Sequence, residues 1–209
     1  MPKVKRTNVS RKSSNAERGN KEPLDLEALL SGDATAFEQL VRQESVRLFR
    51  VILRIVSDEN EAESILQETF LQTYKRLDTF RREAKVTTWI YAIGINLARA
   101  SLRKSRRYDA MAEEDIERLQ PAFANGTYSE RYSTWNPQKI TELSERKRLV
   151  HAAIEKLPPD YRTVVTLRDI EELSTTEVAQ ILDISDGAVR VRLHRARQAL
   201  RKLLDRHFQ

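Results

Sequence analysis

Between Ser174 and Leu204 the apolar residues recur at helical rather than strand spacing. Val178, Ile181 and Leu182, with the small Ala179 beside them, make one face of a short helix. Its start is marked by Ser174 and Glu177, the spacing at which a hydroxyl takes an orphan amide of the first turn and a carboxylate reaches back. Val189, Leu193, Ala196, Leu200 and Leu203 follow at steps of four, three, four and three, a single stripe along a second helix. Ser185 is placed to cap that helix, and Asp186 lies at the positive end of its dipole. A tight turn joins the two.

The same periodicity organises the rest of the chain. Leu26, Leu29 and Leu30 open a short helix that breaks at Ser31-Gly32-Asp33. Phe37, Leu40, Val41, Leu48, Val51, Ile52 and Ile55 mark a long one. The turn Ser57-Asp58-Glu59-Asn60 starts a third, through Leu77, whose apolar face is Ala62, Ile65, Leu66, Thr69, Phe70, Thr73 and Leu77. After the loop Phe80–Lys85 a fourth runs from about Val86 to Arg103. None is long enough to stand alone, so together they form a bundle. Periodicity fails from Ser105 to Trp135, where acids, Pro121 and Asn125-Gly126 read as a linker. Asn136-Pro137 caps a helix that Pro158-Pro159 stops after Leu157, and another runs from Asp160 to Glu171. The expectation is an all-α chain: a basic, disordered tail (1–23), a helical bundle (24–107), a flexible acidic linker (108–135) and a helix-turn-helix domain (136–209).

Composition narrows the function. Of 209 residues 33% are charged and 40% hydrophobic, with five glycines and six prolines, which suits helices with small cores. The absence of cysteine excludes disulfides and thiolate metal sites, and suits a cytoplasmic chain. No apolar run is long enough to insert in a membrane. His151, His194 and His207 are scattered, and neither a phosphate-binding glycine loop nor a serine nucleophile motif occurs, so the chain reads as no enzyme, with no cofactor and no metal. The net charge of +6 conceals two basic blocks, +7 over 81–107 and +5 over 184–209. Acidic stretches adjoin them: −5 over 24–80, −4 over 108–135 and −4 over 158–183. A protein that merely coats nucleic acid would be basic throughout, whereas this one is patterned as a two-point reader.

Arg190, Arg192, Arg195, Arg197, Arg201 and Lys202 lie around the stripe of the last helix, and none falls within it. One face is left for a core and another for an anion, as when a recognition helix enters the major groove of DNA. A membrane-surface helix or coiled-coil strand has the same composition, but the preceding helix, capping box and tight turn argue against both.

Three strings carry a family resemblance. Glu61-Ala-Glu-Ser-Ile-Leu-Gln-Glu-Thr-Phe70 resembles the core-binding helix of bacterial extracytoplasmic-function sigma factors, of the sigma-70 family. Thr88-Trp89-Ile90-Tyr91, with Asn96 and Ala98, resembles their promoter-melting helix. Leu157-Pro158, Tyr161-Arg162 and the stretch from Leu173 through Leu193-His194-Arg195-Ala196-Arg197 are similar to their C-terminal domain. The resemblance implies an alternative sigma factor that binds core RNA polymerase at the clamp of β′ and the flap of β. It implies a first domain that recognises and melts the −10 promoter element, and a second that reads the −35 element as duplex. It also implies a cytoplasmic protein, nucleoid-associated when active, with an anti-sigma partner that in some cases holds it at the membrane.

Residue by residue, the resemblance assigns polymerase-core binding to Glu61, Glu63, Ser64, Gln67 and Glu68. In the −10 region Arg81, Arg82 and Lys85 would hold phosphates of a separated strand and Asn96 would pair with a base edge. Trp89 suits stacking or the core equally. Arg99, Arg103, Lys104, Arg106 and Arg107 would hold duplex phosphates upstream. In the −35 region the set is Ser185, Asp186, Gly187, Ala188, Arg190, Arg192, His194, Arg195 and Arg197. Sequence does not sort those arginines into base readers and phosphate clamps, and His194 is equally a solvated residue. Two other readings compete: a stand-alone regulator with a sensor at 24–107, and an inactive scaffold that sequesters polymerase.

Two positions depart from the family pattern. Asp183 occupies the turn where glycine is usual, a place that needs a positive φ, which aspartate tolerates better than most residues. Ser64 stands where a second acid is common, so its phosphorylation would restore the charge. Glu61 and Glu63 remain, and neutral variation is the reading adopted. A Ser64→Ala protein is therefore expected to transcribe normally in cells, and a marked loss would reveal a phosphoryl switch instead.

Overall fold

The computed structural model describes residues 23–104, 112–120, 123–124, 127–128 and 143–205. Two compact units divide at Gln43, inside the second helix. In the first, α1 (Leu26–Leu30) begins at Asp25, whose carboxylate accepts the Ala28 amide at 3.0 Å. It ends where expected, at Gly32 with φ of 85°. The Asp33 carboxylate then takes the Ala36 amide at 3.0 Å and starts α2 (Ala34–Val56). Leu29 and Leu40 of the predicted stripes are buried.

The second unit runs from Glu44 onward. Leu48, Val51, Ile52 and Ile55 fill the inner face of α2. Ser57, at φ of 58°, redirects the chain, and Asp58 caps α3 (Glu59–Lys75) by accepting the Glu61 amide at 2.8 Å. Ala62, Ile65, Thr69, Phe70 and Thr73 are buried as their spacing predicts, but Leu66 is only half-buried. Leu77 is buried in a separate 3-10 turn (Leu77–Thr79) rather than in the helix. The buried Thr69 and Thr73 hydroxyls donate to the Ile65 and Thr69 carbonyls at 2.6 and 2.8 Å, so no polar group is stranded between α3 and α4 (Val86–Lys104) at these two residues. Close approach is set by Gly94: an added Cβ would sit 3.1 Å from Thr69 Oγ1 and 3.4 Å from Leu48 Cδ1.

The stretch expected to be an unstructured linker has regular elements among its described residues. It contains α5 (Glu113–Arg118) and a two-residue antiparallel ladder, β1 (Phe123–Ala124) with β2 (Thr127–Tyr128), pairing Phe123 with Tyr128 and Ala124 with Thr127. A single fully buried residue, Ile116, anchors α5, and the Gln120 side chain donates to the Arg195 carbonyl at 3.2 Å. One apolar residue in so short a helix leaves no period to read in the sequence. The expected Asn136-Pro137 start lies outside the described residues, which resume at α6 (Leu143–Glu155).

The predicted helix from Asp160 to Glu171 is α7 (Pro159–Val165) followed by a π turn, Thr166–Ile170. Glu172, at φ of 56°, then reorients the chain into α8 (Thr175–Leu182) and α9 (Asp186–Asp205). The Ser174–Glu177 capping box is complete, and Ser185 Oγ accepts the Ala188 amide at 3.1 Å. Val189, Leu193, Ala196 and Leu203 are buried, with Ala199 where Leu200 was expected. The stripe shifts because α7, α6 and α8 all press on α9, and the small Ala199 faces them while Leu200 borders the contact.

The helices of both expected domains pack together from Glu44 on, with α4 against α8. Arg162 of α7 lies between them with no solvent exposure. Its guanidinium donates to the Ile55 carbonyl at 2.9 Å, to the Leu157 carbonyl at 3.4 Å and to the Glu155 carbonyl. Those carbonyls belong to the C-terminal ends of α2 and α6, where helix dipoles place negative charge.

Asp183 does adopt the left-handed conformation, φ 53° and ψ 51°. Its amide and that of Ile184 both donate to the Ala179 carbonyl, so the turn is fully bonded despite the non-glycine residue. Asp183→Gly is expected to raise the melting temperature by about 2 °C, a gain of up to about 1 kcal/mol. A fall of several degrees would show that the carboxylate itself holds the turn.

Candidate nucleic-acid interface

The helix α9 turns its buried stripe inward and leaves Gly187, Arg190, Val191 and His194 exposed on the opposite side. The other residues expected at this face are placed differently. Ser185 is committed to the cap, Asp186 accepts from Thr176 Oγ1 at 3.3 Å, and Ala188 is half-buried. Arg192 reaches back to Asp160 at 3.2 Å, and Arg195 pairs with Glu117 at 2.8 Å. Arg197 grips Asp169 with two bonds of 3.0 and 2.5 Å, and this pairing outweighs burial to raise its pKa. Arg190 is thus sorted from the arginines that sequence left equivalent.

The second basic block shows the same division. Arg81 and Arg82 are exposed in the loop before α4, as are Asn96, Arg103 and Lys104 along or at the end of it. Arg106 and Arg107 lie outside the described residues. Trp89 is half-buried with its ring 5.3 Å from that of Phe80, so its indole is engaged within the bundle. Lys85 bonds Glu177 of the α8 capping box at 3.0 Å. The Ser174 backbone amide, together with Lys85, lowers the Glu177 pKa to about 2. Arg99 bonds Asp160 at 2.6 Å, so one carboxylate holds Arg99 of α4 through one oxygen and Arg192 of α9 through the other.

A second bridge crosses the same junction. Glu171, whose side chain is 9% exposed, accepts from Arg47 and Arg54 of α2, each at 2.9 Å. Arg47 also reaches the Glu171 carbonyl and lies 6.0 Å over the buried ring of Tyr91. Burial opposes the charge of Arg47, but Glu171 more than compensates and its pKa rises. Burial likewise raises that of Tyr91. None of Arg47, Arg54, Asp160 or Glu171 stood out in the sequence, because the partners are 32 to 124 residues apart. Their only signal was the acidic block at 158–183, set between two basic ones.

On α3, Glu63, Ser64, Gln67 and Glu68 share an exposed face, with the Ser64 hydroxyl donating to the Asn60 carbonyl at 3.0 Å. Glu61 instead turns toward α4, where it accepts from the Ser101 hydroxyl. Leu71 and Tyr74 are exposed on the same helix and extend its outer surface. Among the described residues no group of His, Cys, Asp or Glu side chains is arranged to hold a metal ion, and no helix is long and apolar enough to cross a membrane.

Comparison with known proteins accounts for both basic segments. The sigma-70 region 2 family matches residues 40–108, and sigma-70 region 4 matches residues 147–200. The RNA polymerase sigma-H factor of Pseudomonas aeruginosa is 33% identical over 180 residues, which cover 86% of this chain and 91% of the relative. The extracytoplasmic-function (ECF) RNA polymerase sigma factor SigW of Bacillus subtilis is 34% identical over 83% of this chain and 91% of its own. Among solved structures, CnrH in complex with the cytosolic domain of CnrY superposes with a TM-score of 0.61 at 28% identity, over 86% of this chain and 94% of that one. The chain belongs to the ECF sigma factors of the sigma-70 family, non-enzymatic factors that direct promoter-specific transcription.

Glu177 supplies a pH signature. Its folded pKa lies below the ordinary value of 4.5, so its stabilisation is complete above pH 4.5 and is lost as pH falls through about 2. Glu177→Gln is expected to lower the melting temperature at pH 7, and that deficit should vanish near pH 2. A deficit unchanged across this range would mean that shape, rather than charge, carries the effect.

Proposed function

We propose that this sigma factor contacts its promoter through two surfaces of opposite task, and polymerase through a third. The exposed side of α9 enters the major groove of the −35 element. The loop Arg81–Lys85 and α4, with Asn96 outward, hold the separated strand of the −10 element. The α3 face of Glu63, Ser64, Gln67 and Glu68 meets core polymerase. The observation that carries this reading is the pairing of Lys85, Arg99, Arg192, Arg195 and Arg197 with Glu177, Asp160, Glu117 and Asp169. Acidic side chains occupy the places that promoter phosphates would take, so engagement exchanges carboxylate for phosphate. Arg190 is left to read bases, and Arg192 serves the closed arrangement first.

The CnrH structure, solved with the cytosolic domain of CnrY, supports a further protein partner for this chain, which we take to be an anti-sigma factor. The protein acts in the cytoplasm on the nucleoid, and an anti-sigma factor anchored in the membrane would hold it there when idle.

Run-off transcription with purified core polymerase tests the reading. The wild-type chain should give promoter-specific initiation. A Glu63→Lys, Glu68→Lys double variant should lose core binding while keeping its melting temperature, because both residues are exposed. Specific duplex binding by the free chain without any initiation would favour a stand-alone regulator.

A further inference from the structure

The exposed face of α9 carries a residue that neither its charge nor its fold explains. Val191 is 52% exposed, at the centre of a surface made by Gly187, Arg190 and His194. It follows the fully buried Val189 by two positions, about 200° around a helix, so it points away from the core. A Cβ at Gly187, one turn earlier, would meet only Ser185 Oγ at 3.7 Å, so the space in front of this turn is open. Of the large exposed apolar side chains among the described residues, Val191 alone lies on α9.

A valine has no group with which to donate or accept a hydrogen bond, so it discriminates only by apolar contact. The base edges in the major groove offer one apolar target, the C5 methyl of thymine. At the same place cytosine presents an amine donor nearby, which valine would desolvate without a partner. The β-branched side chain is also stiff about χ1, so little freedom remains to be lost on contact. Its neighbours fit the assignment: Arg190 is exposed beside it, while Arg192, Arg195 and Arg197 are each held by an acid.

We propose that Val191 is a specificity-determining residue of this factor, selecting thymine at one position of the upstream promoter element by packing against its methyl group. The inference rests on the reading that α9 occupies the major groove. The test uses holoenzyme reconstituted from the full chain and core polymerase, with duplexes selected from a pool randomised in the upstream element. One position should be fixed as thymine by the wild type and relaxed in Val191→Ala. Replacing that thymine with deoxyuridine removes only the methyl, and should weaken wild-type binding about fivefold while leaving Val191→Ala binding unchanged. An equal loss in both proteins, or a selected site whose thymine preferences survive Val191→Ala, overturns the assignment to Val191. If the wild type initiates specifically yet selects no upstream sequence, the groove reading itself fails, and the assignment falls with it.

Discussion

The arrangement of the second unit depends on a buried cation. Arg162 is removed from solvent, and an isolated charge there would cost several kcal/mol, so its guanidinium must be met by oxygen on several sides. It is met by the carbonyls of Ile55, Glu155 and Leu157, at helix ends whose dipoles already favour positive charge. Because α7 is pinned there, the residues at its two ends are aimed. Asp160 faces Arg99 and Arg192, and Glu171, after the π turn, faces Arg47 and Arg54. The bridges between the two sets of helices follow from the position of one guanidinium.

On the proposed reading, the Asp160 bridge uses two side chains, Arg99 and Arg192, that a promoter would also use. A guanidinium bonded to Asp160 has fewer of its five N–H donors left to offer a phosphate. The Lys85–Glu177 pair is weak because its lysine is well exposed, and it should yield readily at moderate salt. The Glu171 pairs are more enclosed, and opening them leaves a carboxylate to be rehydrated. On the proposed reading, closed and engaged forms compete for Arg99 and Arg192, a balance set by differential contacts in each state.

Much of this was legible in the sequence, for reasons that differ by residue. The capping box at Ser174, the break at Gly32 and the apolar stripes of α3 and α9 are local, set by side chains within a turn of each other. The left-handed turn at Asp183 was legible through the resemblance instead, which puts glycine at that place. Glu61 was read as outward by its place in an acidic string, yet Ser101, forty residues on, draws it inward. The sorting of Arg190 from Arg192 was equally hidden, since it depends on Asp160, far away in the chain. Local spacing names the element and its face, whereas long-range pairing decides which charges remain available.

The exchange of carboxylate for phosphate is tested most directly by the distance between the two sets of helices during initiation. The chain has no cysteine, so Arg76→Cys and Gln180→Cys, both at exposed positions, allow a donor and an acceptor dye to be attached without side reactions. Energy transfer should be high in the free protein and should fall when core polymerase and promoter are added together. The same high transfer in free protein and in a transcribing complex would contradict the account, because Arg99 and Arg192 would then have to meet DNA without leaving Asp160.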